Sequence, residues 1–130
     1  MEFINNDYKN SEITSRIIGA AFKVHNHHGN GFPEIIYQRS LEIEMNLMRI
    51  VFEKEKSIKI YYRNIEVGER CVDFLIEDTV SVELKAVSCL EPAHLSQALN
   101  YLEAFNLETG LLINFGAKKL EWKRLIHTPR

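Results

Sequence analysis

Arg70-Cys71-Val72-Asp73-Phe74-Leu75-Ile76-Glu77, followed after Asp78-Thr79 by Val80-Ser81-Val82-Glu83-Leu84-Lys85-Ala86-Val87, is the stretch that decides how this chain folds. Alternation puts Val72, Phe74 and Ile76 on one face of the first segment and Cys71, Asp73 and Leu75 on the other. Both faces are largely apolar, so the segment reads as an interior strand. The second segment turns Val82, Leu84 and Ala86 one way and Ser81, Glu83, Lys85 and Val87 the other. A three-residue loop at 77–79 sets Asp73 opposite Glu83 and Cys71 opposite Lys85, with Cβ atoms about 4.5–5.5 Å apart. That pairing depends on register, since a slip of one residue moves every side chain to the other face.

Aspartate is depleted in strands, and two carboxylates this close repel each other. In a partly dry site one of them takes up a proton, or a cation sits between them. A Glu-x-Lys on a strand is by itself an ordinary solvated face. The acid on the neighbouring strand and the apolar flanks distinguish this one. Opposed acids suit a hard divalent cation bound through oxygen, typically Mg2+ or Mn2+.

Upstream, Asn10 or Ser11 can cap a first helix whose apolar stripe is Ile13, Ile17, Ala21 and Val24. Gly29 suits its C-terminal end. Pro33 suits the first turn of a second helix with the stripe Tyr37, Leu41, Met45 and Met48. Glu34, three residues before Tyr37, is expected on the core-facing side and adds a third acid. Val51–Glu55 and Ser57–Tyr62 read as strands, with a turn near Asn64. Downstream, Pro92 opens a helix to about Asn106, with Leu95, Ala98, Leu99 and Leu102 facing inward. His94, Gln97 and Tyr101 share an adjoining face. Leu111–Phe115 and Leu120–Ile126 read as the last strands. The order α-α-β-β-β-β-α-β-β predicts an α/β (α+β) fold, a mixed sheet flanked by helices.

The 130 residues suit one domain, 1–130, able to bury a core without disulfides. No apolar run approaches the ~20 residues of a membrane span. The N-terminus lacks a signal-peptide pattern, so a cytoplasmic protein is expected. Cys71 and Cys89 are too few for an iron–sulfur cluster, which takes about four cysteines. The net charge of −2 argues against strong autonomous duplex binding, though not against a local basic groove.

Taken together, Gly31-Phe32-Pro33-Glu34-Ile35-Ile36-Tyr37, Asp73 with Glu83-Leu84-Lys85, Gln97-Ala98-Leu99-Asn100-Tyr101 and Gly110-Leu111-Leu112-Ile113-Asn114-Phe115-Gly116 stand in sequence order. They resemble the GxxExxY family of the PD-(D/E)XK nuclease-like superfamily, in its RecB-like branch, from about Ile13 to Leu125. The resemblance implies a restriction-endonuclease-like fold and metal-dependent hydrolysis of nucleic acid, with DNA the first expectation. It implies a catalytic set of Glu34, Asp73, Glu83 and Lys85. Asp73, Glu83 and the Leu84 backbone carbonyl would ligate Mg2+ or Mn2+, with Glu34 joining directly or through water. Gln97, Tyr101, Arg70 and Tyr37 would position substrate. His25, in a histidine-rich helix end (His25, His27, His28) that also suits the helix dipole, is a candidate further ligand. The acidic pI of about 6.2 and the small size favour a homodimer or a protein partner that adds binding surface. Two other readings fit the same residues: a non-catalytic nucleic-acid-binding or complex-forming module, and a metal protein acting on a different phosphoester.

Overall fold

The computed structural model describes residues 10–128. Among them, α1 (Ser11–His28) and α2 (Glu34–Leu47) precede β1 (Phe52–Tyr62), β2 (Ile65–Ile76) and β3 (Val80–Lys85). Then come α3 (Pro92–Phe105), β4 (Thr109–Asn114) and β5 (Glu121–Ile126). The five-stranded sheet runs in the order β1-β2-β3-β4-β5. All neighbours are antiparallel except β3 and β4, which α3 joins as a parallel crossover. The mixed sheet flanked by helices is the expected fold, and the elements follow the expected order. Val51–Glu55 and Ser57–Tyr62 run together as the one strand β1, because the chain between them kinks at Glu55 (φ +54°) without turning. No helix of the described residues is long and apolar enough to cross a membrane.

The apolar stripes fold as read. Ile17, Ala21 and Val24 of α1 and Tyr37, Leu41 and Met45 of α2 pack on Phe74, Ile76, Val82, Leu84, Ile113 and Phe115 of the sheet. Each fully buried large side chain here contributes roughly 1.5–3 kcal/mol relative to exposure. On the opposite face α3 buries Ala98 and Leu102, while Leu99 turns outward at 40% exposure, one position off the inward stripe expected for it. Asn10 precedes α1 but does not cap it. Its left-handed backbone (φ +60°) aims the amide at Thr109 Oγ1, 3.4 Å away.

Turn chemistry sets the registers. Arg63 and Asn64 both have positive φ and close the β1–β2 hairpin with Tyr62 opposite Ile65, as a tight two-residue turn requires. The three-residue turn Glu77–Thr79 sets Ile76 opposite Val80, Leu75 opposite Ser81 and Phe74 opposite Val82, the register read from the sequence. α3 starts at a capping box, with Pro92 in its first turn. The Glu91 N–H donates to His94 Nδ1 at 2.9 Å, so His94 is a helix cap.

Two glycines of the 110–116 segment are needed for close approach. A Cβ on Gly110 would meet Ser81 Oγ at 2.7 Å and Leu102 Cδ2 at 2.8 Å. A Cβ on Gly116 would lie 2.4 Å from the Val87 backbone. Gly19, by contrast, sits on an exposed part of α1 with open space around it. Gly116→Ala should therefore destabilise the fold by about 3 kcal/mol, as overpacking against backbone does. Gly19→Ala should stabilise it by about 1 kcal/mol. Urea unfolding of the two variants checks both signs, and a Gly116→Ala midpoint equal to wild type would refute the close approach.

Candidate active site

The β2–β3 ladder stops at Phe74–Val82, just before the acids. Had it continued, the Leu84 N–H would have bonded the β2 main chain. It donates instead to Asp73 Oδ2 at 2.8 Å. The Asp73 main-chain N–H, for its part, favours the charged form of the Glu83 carboxyl. The Asp73 carboxylate thus replaces a main-chain partner, and the paired ladder ends where Asp73 and Glu83 face each other. The Leu84 carbonyl lies on the same strand edge as its N–H, so it points into this opening. On the other side of β2 the pairing passes from Lys54–Phe74 to Lys56–Val72 and skips Glu55 and Asp73.

Four helix side chains reach the opening. From α2, Gln38 donates from Nε2 to Asp73 Oδ1 at 3.3 Å, and Glu34 interacts electrostatically with Asp73 and Lys85. Glu34 is exposed at the rim, where the sequence placed it toward the core. The residue is exposed overall, and its carboxyl is partly desolvated beside Asp73 and Lys85. From α3, Gln97 accepts from Lys85 Nζ at 3.2 Å. Tyr101 is half-buried and feels Glu83, Asp73 and Arg70. Gln97 therefore steadies Lys85 with its oxygen and keeps its amide N–H groups for another partner.

The electrostatics show a surplus of negative charge. Glu83 is buried, and its Oε1 has no hydrogen-bond partner. Desolvation first, then the Asp73 charge, pushes its carboxyl up to about 9 against the opposing pull of Lys85 and the Asp73 N–H. Desolvation also raises Asp73, with the Leu84 N–H and Lys85 opposing. Glu34 is raised by desolvation and by Asp73. The Tyr101 hydroxyl is raised by burial and by Glu83, with Arg70 opposing.

Among the described residues, no three His, Cys, Asp or Glu side chains form a ready-made metal cage. The donor set still fits Mg2+ or Mn2+. Magnesium keeps several waters and takes one or two carboxylates plus substrate phosphate. An orphaned buried carboxylate oxygen beside a second acid is the kind of donor such an ion would satisfy.

Two expected residues stand elsewhere. Tyr37 is fully buried and stacked on Phe115 at 4.7 Å, so its ring is closed off from solvent. Its hydroxyl donates to the Gly29 carbonyl at 2.6 Å and accepts from the Phe32 N–H at 3.2 Å. It ties down the loop that delivers Glu34. His25 is committed through Nε2 to the Ala117 carbonyl at 2.9 Å, because its helix end packs on the loop after β4, and it does not join the acids.

Three contributors escaped the sequence reading. Gln38 was legible as the i+4 neighbour of Glu34 on one helix face. Glu55, whose charge acts on Asp73, shows only as the break between two strand-like runs. Asn114 is fully buried and bonds both the N–H and the carbonyl of Val87 at 2.9 Å. Its Nδ2 also reaches Glu121 Oε1 at 2.8 Å, and this network holds the chain leaving Lys85.

The raised Glu83 carboxyl links the site to stability. A glutamate ordinarily titrates near 4.5, and the folded chain holds this proton up to about 9. The group's stabilising contribution is full below about pH 4.5 and is lost as pH rises through about 9. The Tm of the cation-free protein should fall across that window. Glu83→Gln should flatten the fall, and Mn2+ should raise Tm most at its alkaline end. Thermal melts at a series of pH values test this, and equal slopes for wild type and Glu83→Gln would contradict it.

No curated protein matches this chain. The solved structure of SSO0001 is similar to it, with a TM-score of 0.58 at 16% identity, over 88% of this chain and 63% of that one. The chain thus spans less than two thirds of that protein, and the likeness is one of fold. The profile of the PD-(D/E)XK nuclease superfamily matches residues 11–125. With the acids and Lys85 on adjoining strands inside that match, this chain belongs to the PD-(D/E)XK nuclease superfamily.

Proposed function

We propose that this chain is a single-domain nuclease of the GxxExxY type, on the RecB-like branch, that hydrolyses phosphodiester bonds of nucleic acid, DNA in first place, in the cytoplasm. One observation carries the reading: the partnerless buried Glu83 Oε1 faces Asp73 across an opened ladder, with Lys85 two residues along the same strand.

In this reading Asp73, Glu83 and the Leu84 carbonyl hold a divalent cation, Mg2+ or Mn2+, with Glu34 closing the site from the rim. When bound there, such an ion would supply Lewis-acid chemistry, a more acidic water and a polarised scissile phosphate. Gln38 and the Leu84 N–H fix both oxygens of Asp73, so that it presents one orientation. Lys85, steadied by Gln97, places positive charge where negative charge grows on the phosphate. Tyr101 and Arg70 flank the opening and orient the strand being cut. No iron–sulfur cluster takes part. The net charge of −2 favours a homodimer or a protein partner as additional binding surface.

The non-catalytic reading draws on the absence of a closed ligand cage among the described residues. Calorimetric titration of Mn2+ into wild type and Asp73→Ala, with cleavage assays on single- and double-stranded DNA, separates the two. The nuclease reading expects Mn2+ binding and cleavage, both lost in Asp73→Ala. Lys85→Ala should bind Mn2+ but cut slower by on the order of 10²–10³-fold, the usual loss for one electrostatic donor. Cleavage unchanged in either variant would remove the assignment. Absence of Mn2+ binding by wild type would make the acids structural.

A further inference from the structure

Beyond the site, the β1–β2 hairpin does something the rest of the sheet does not. Its two strands pair from Phe52–Ile76 out to Tyr62–Ile65, interrupted only at Glu55 and Asp73 and at Val67, while β3 covers only Phe74–Ile76 of β2. The distal half is a two-stranded arm, which is marginally stable by itself. Between this arm and α3 lies a cleft of about 600 Å3 whose lining includes Lys59, Tyr61, Gly68 and Arg70 from the arm and Asn100 from the helix. The cleft and the site share one electrostatic link, since the charge of Arg70 on the cleft wall acts on Tyr101. The arm is shaped at this point. The register slips between Ile60 and Tyr61 and leaves Val67 of β2 without a partner, an irregularity of the kind that re-aims side chains. Gly68, on the opposite strand, has no neighbour within 4 Å of its missing side chain. Tyr61 is left 59% exposed on the cleft wall.

We propose that this cleft is the lane for a single nucleic-acid strand, with Tyr61 stacking on a base and Arg70 and Lys59 contacting phosphates on the way to the acids. The inference deepens the nuclease reading and rests on it for the direction of the strand. A volume of about 600 Å3 suits a ligand of small-molecule size. That is one or two nucleotides of a single strand. Lys59 is also paired with Glu66 at 3.6 Å, and Glu69 and Glu103 line the same cleft. The lane is thus near neutral, and stacking rather than charge carries the binding. Two phosphate contacts on a single strand predict a shallow salt slope, about −1.4 in log K against log salt.

The test uses fluorescence anisotropy of a labelled oligo(dT) of about 12 nucleotides, within the usual single-strand site size. It is run with the full chain carrying Glu83→Gln to prevent cutting, alone and combined with Tyr61→Ala or Tyr61→Phe. Expected is single-strand binding tighter than duplex binding, weakened about tenfold by Tyr61→Ala and kept by Tyr61→Phe. Mn2+ titration of Tyr61→Ala alone should match wild type, which shows that the variant folds and that its cation site is intact. Single-strand binding indifferent to Tyr61→Ala, or equal binding of duplex, overturns the lane and leaves the nuclease reading standing. Tyr61-dependent binding in a protein that neither binds Mn2+ nor cuts keeps the lane and removes the nuclease reading. A dimer that Tyr61→Ala dissolves makes this face an interface between copies and overturns the lane.

Discussion

A single hydrogen bond organises the centre of this protein: the Leu84 N–H donating to Asp73 Oδ2 instead of to a strand neighbour. A side-chain carboxylate is longer than a main-chain carbonyl and comes from the wrong residue for a ladder. When it takes the ladder's donor, the two strands must separate. The separation creates room between Asp73 and Glu83, on the strand edge that carries the Leu84 carbonyl. It also opens the sheet so that α2 can send Gln38 and Glu34 toward the acids while α3 sends Gln97 and Tyr101.

The rest of the fold holds that opening in place. Tyr37, stacked on Phe115, pins the loop before α2 through two main-chain bonds and so fixes where Glu34 emerges. Asn114 does the same for the chain after β3, and Gly116 lets the two backbones lie side by side. Both anchors are buried and neither touches the opening. They are the fixed elements against which a few charged side chains are aimed, the arrangement a preorganised site needs.

The site costs stability. A buried carboxylate oxygen without a donor, beside a second acid, is unfavourable unless a proton or a cation is present. The chain offsets part of this with two main-chain N–H groups and Lys85, and leaves the remainder uncompensated. An apolar pair at Asp73 and Glu83 would give a quieter sheet, so these residues make physical sense as binding groups more than as structure.

Much of this was legible in the sequence. Alternation along 70–87 placed Asp73, Glu83 and Lys85 on one face, and the three-residue turn set the register, because both follow from the two-residue period of a strand. The helical stripes followed from their own period. What the sequence could not determine is how strands and helices meet. It had no means of showing that the ladder breaks at Asp73, since a side chain competing for a main-chain donor looks like any other aspartate. It offered Tyr37 as a substrate-positioning residue and His25 as a candidate further ligand, because residue type says nothing of which way a group turns once packed. Tertiary packing committed both to loop carbonyls, left Glu34 at the rim and added Gln38, Glu55 and Asn114. Local periodicity is written in neighbouring residues, whereas the partner of a buried polar group is chosen by whatever distant donor or acceptor the fold brings within about 3 Å.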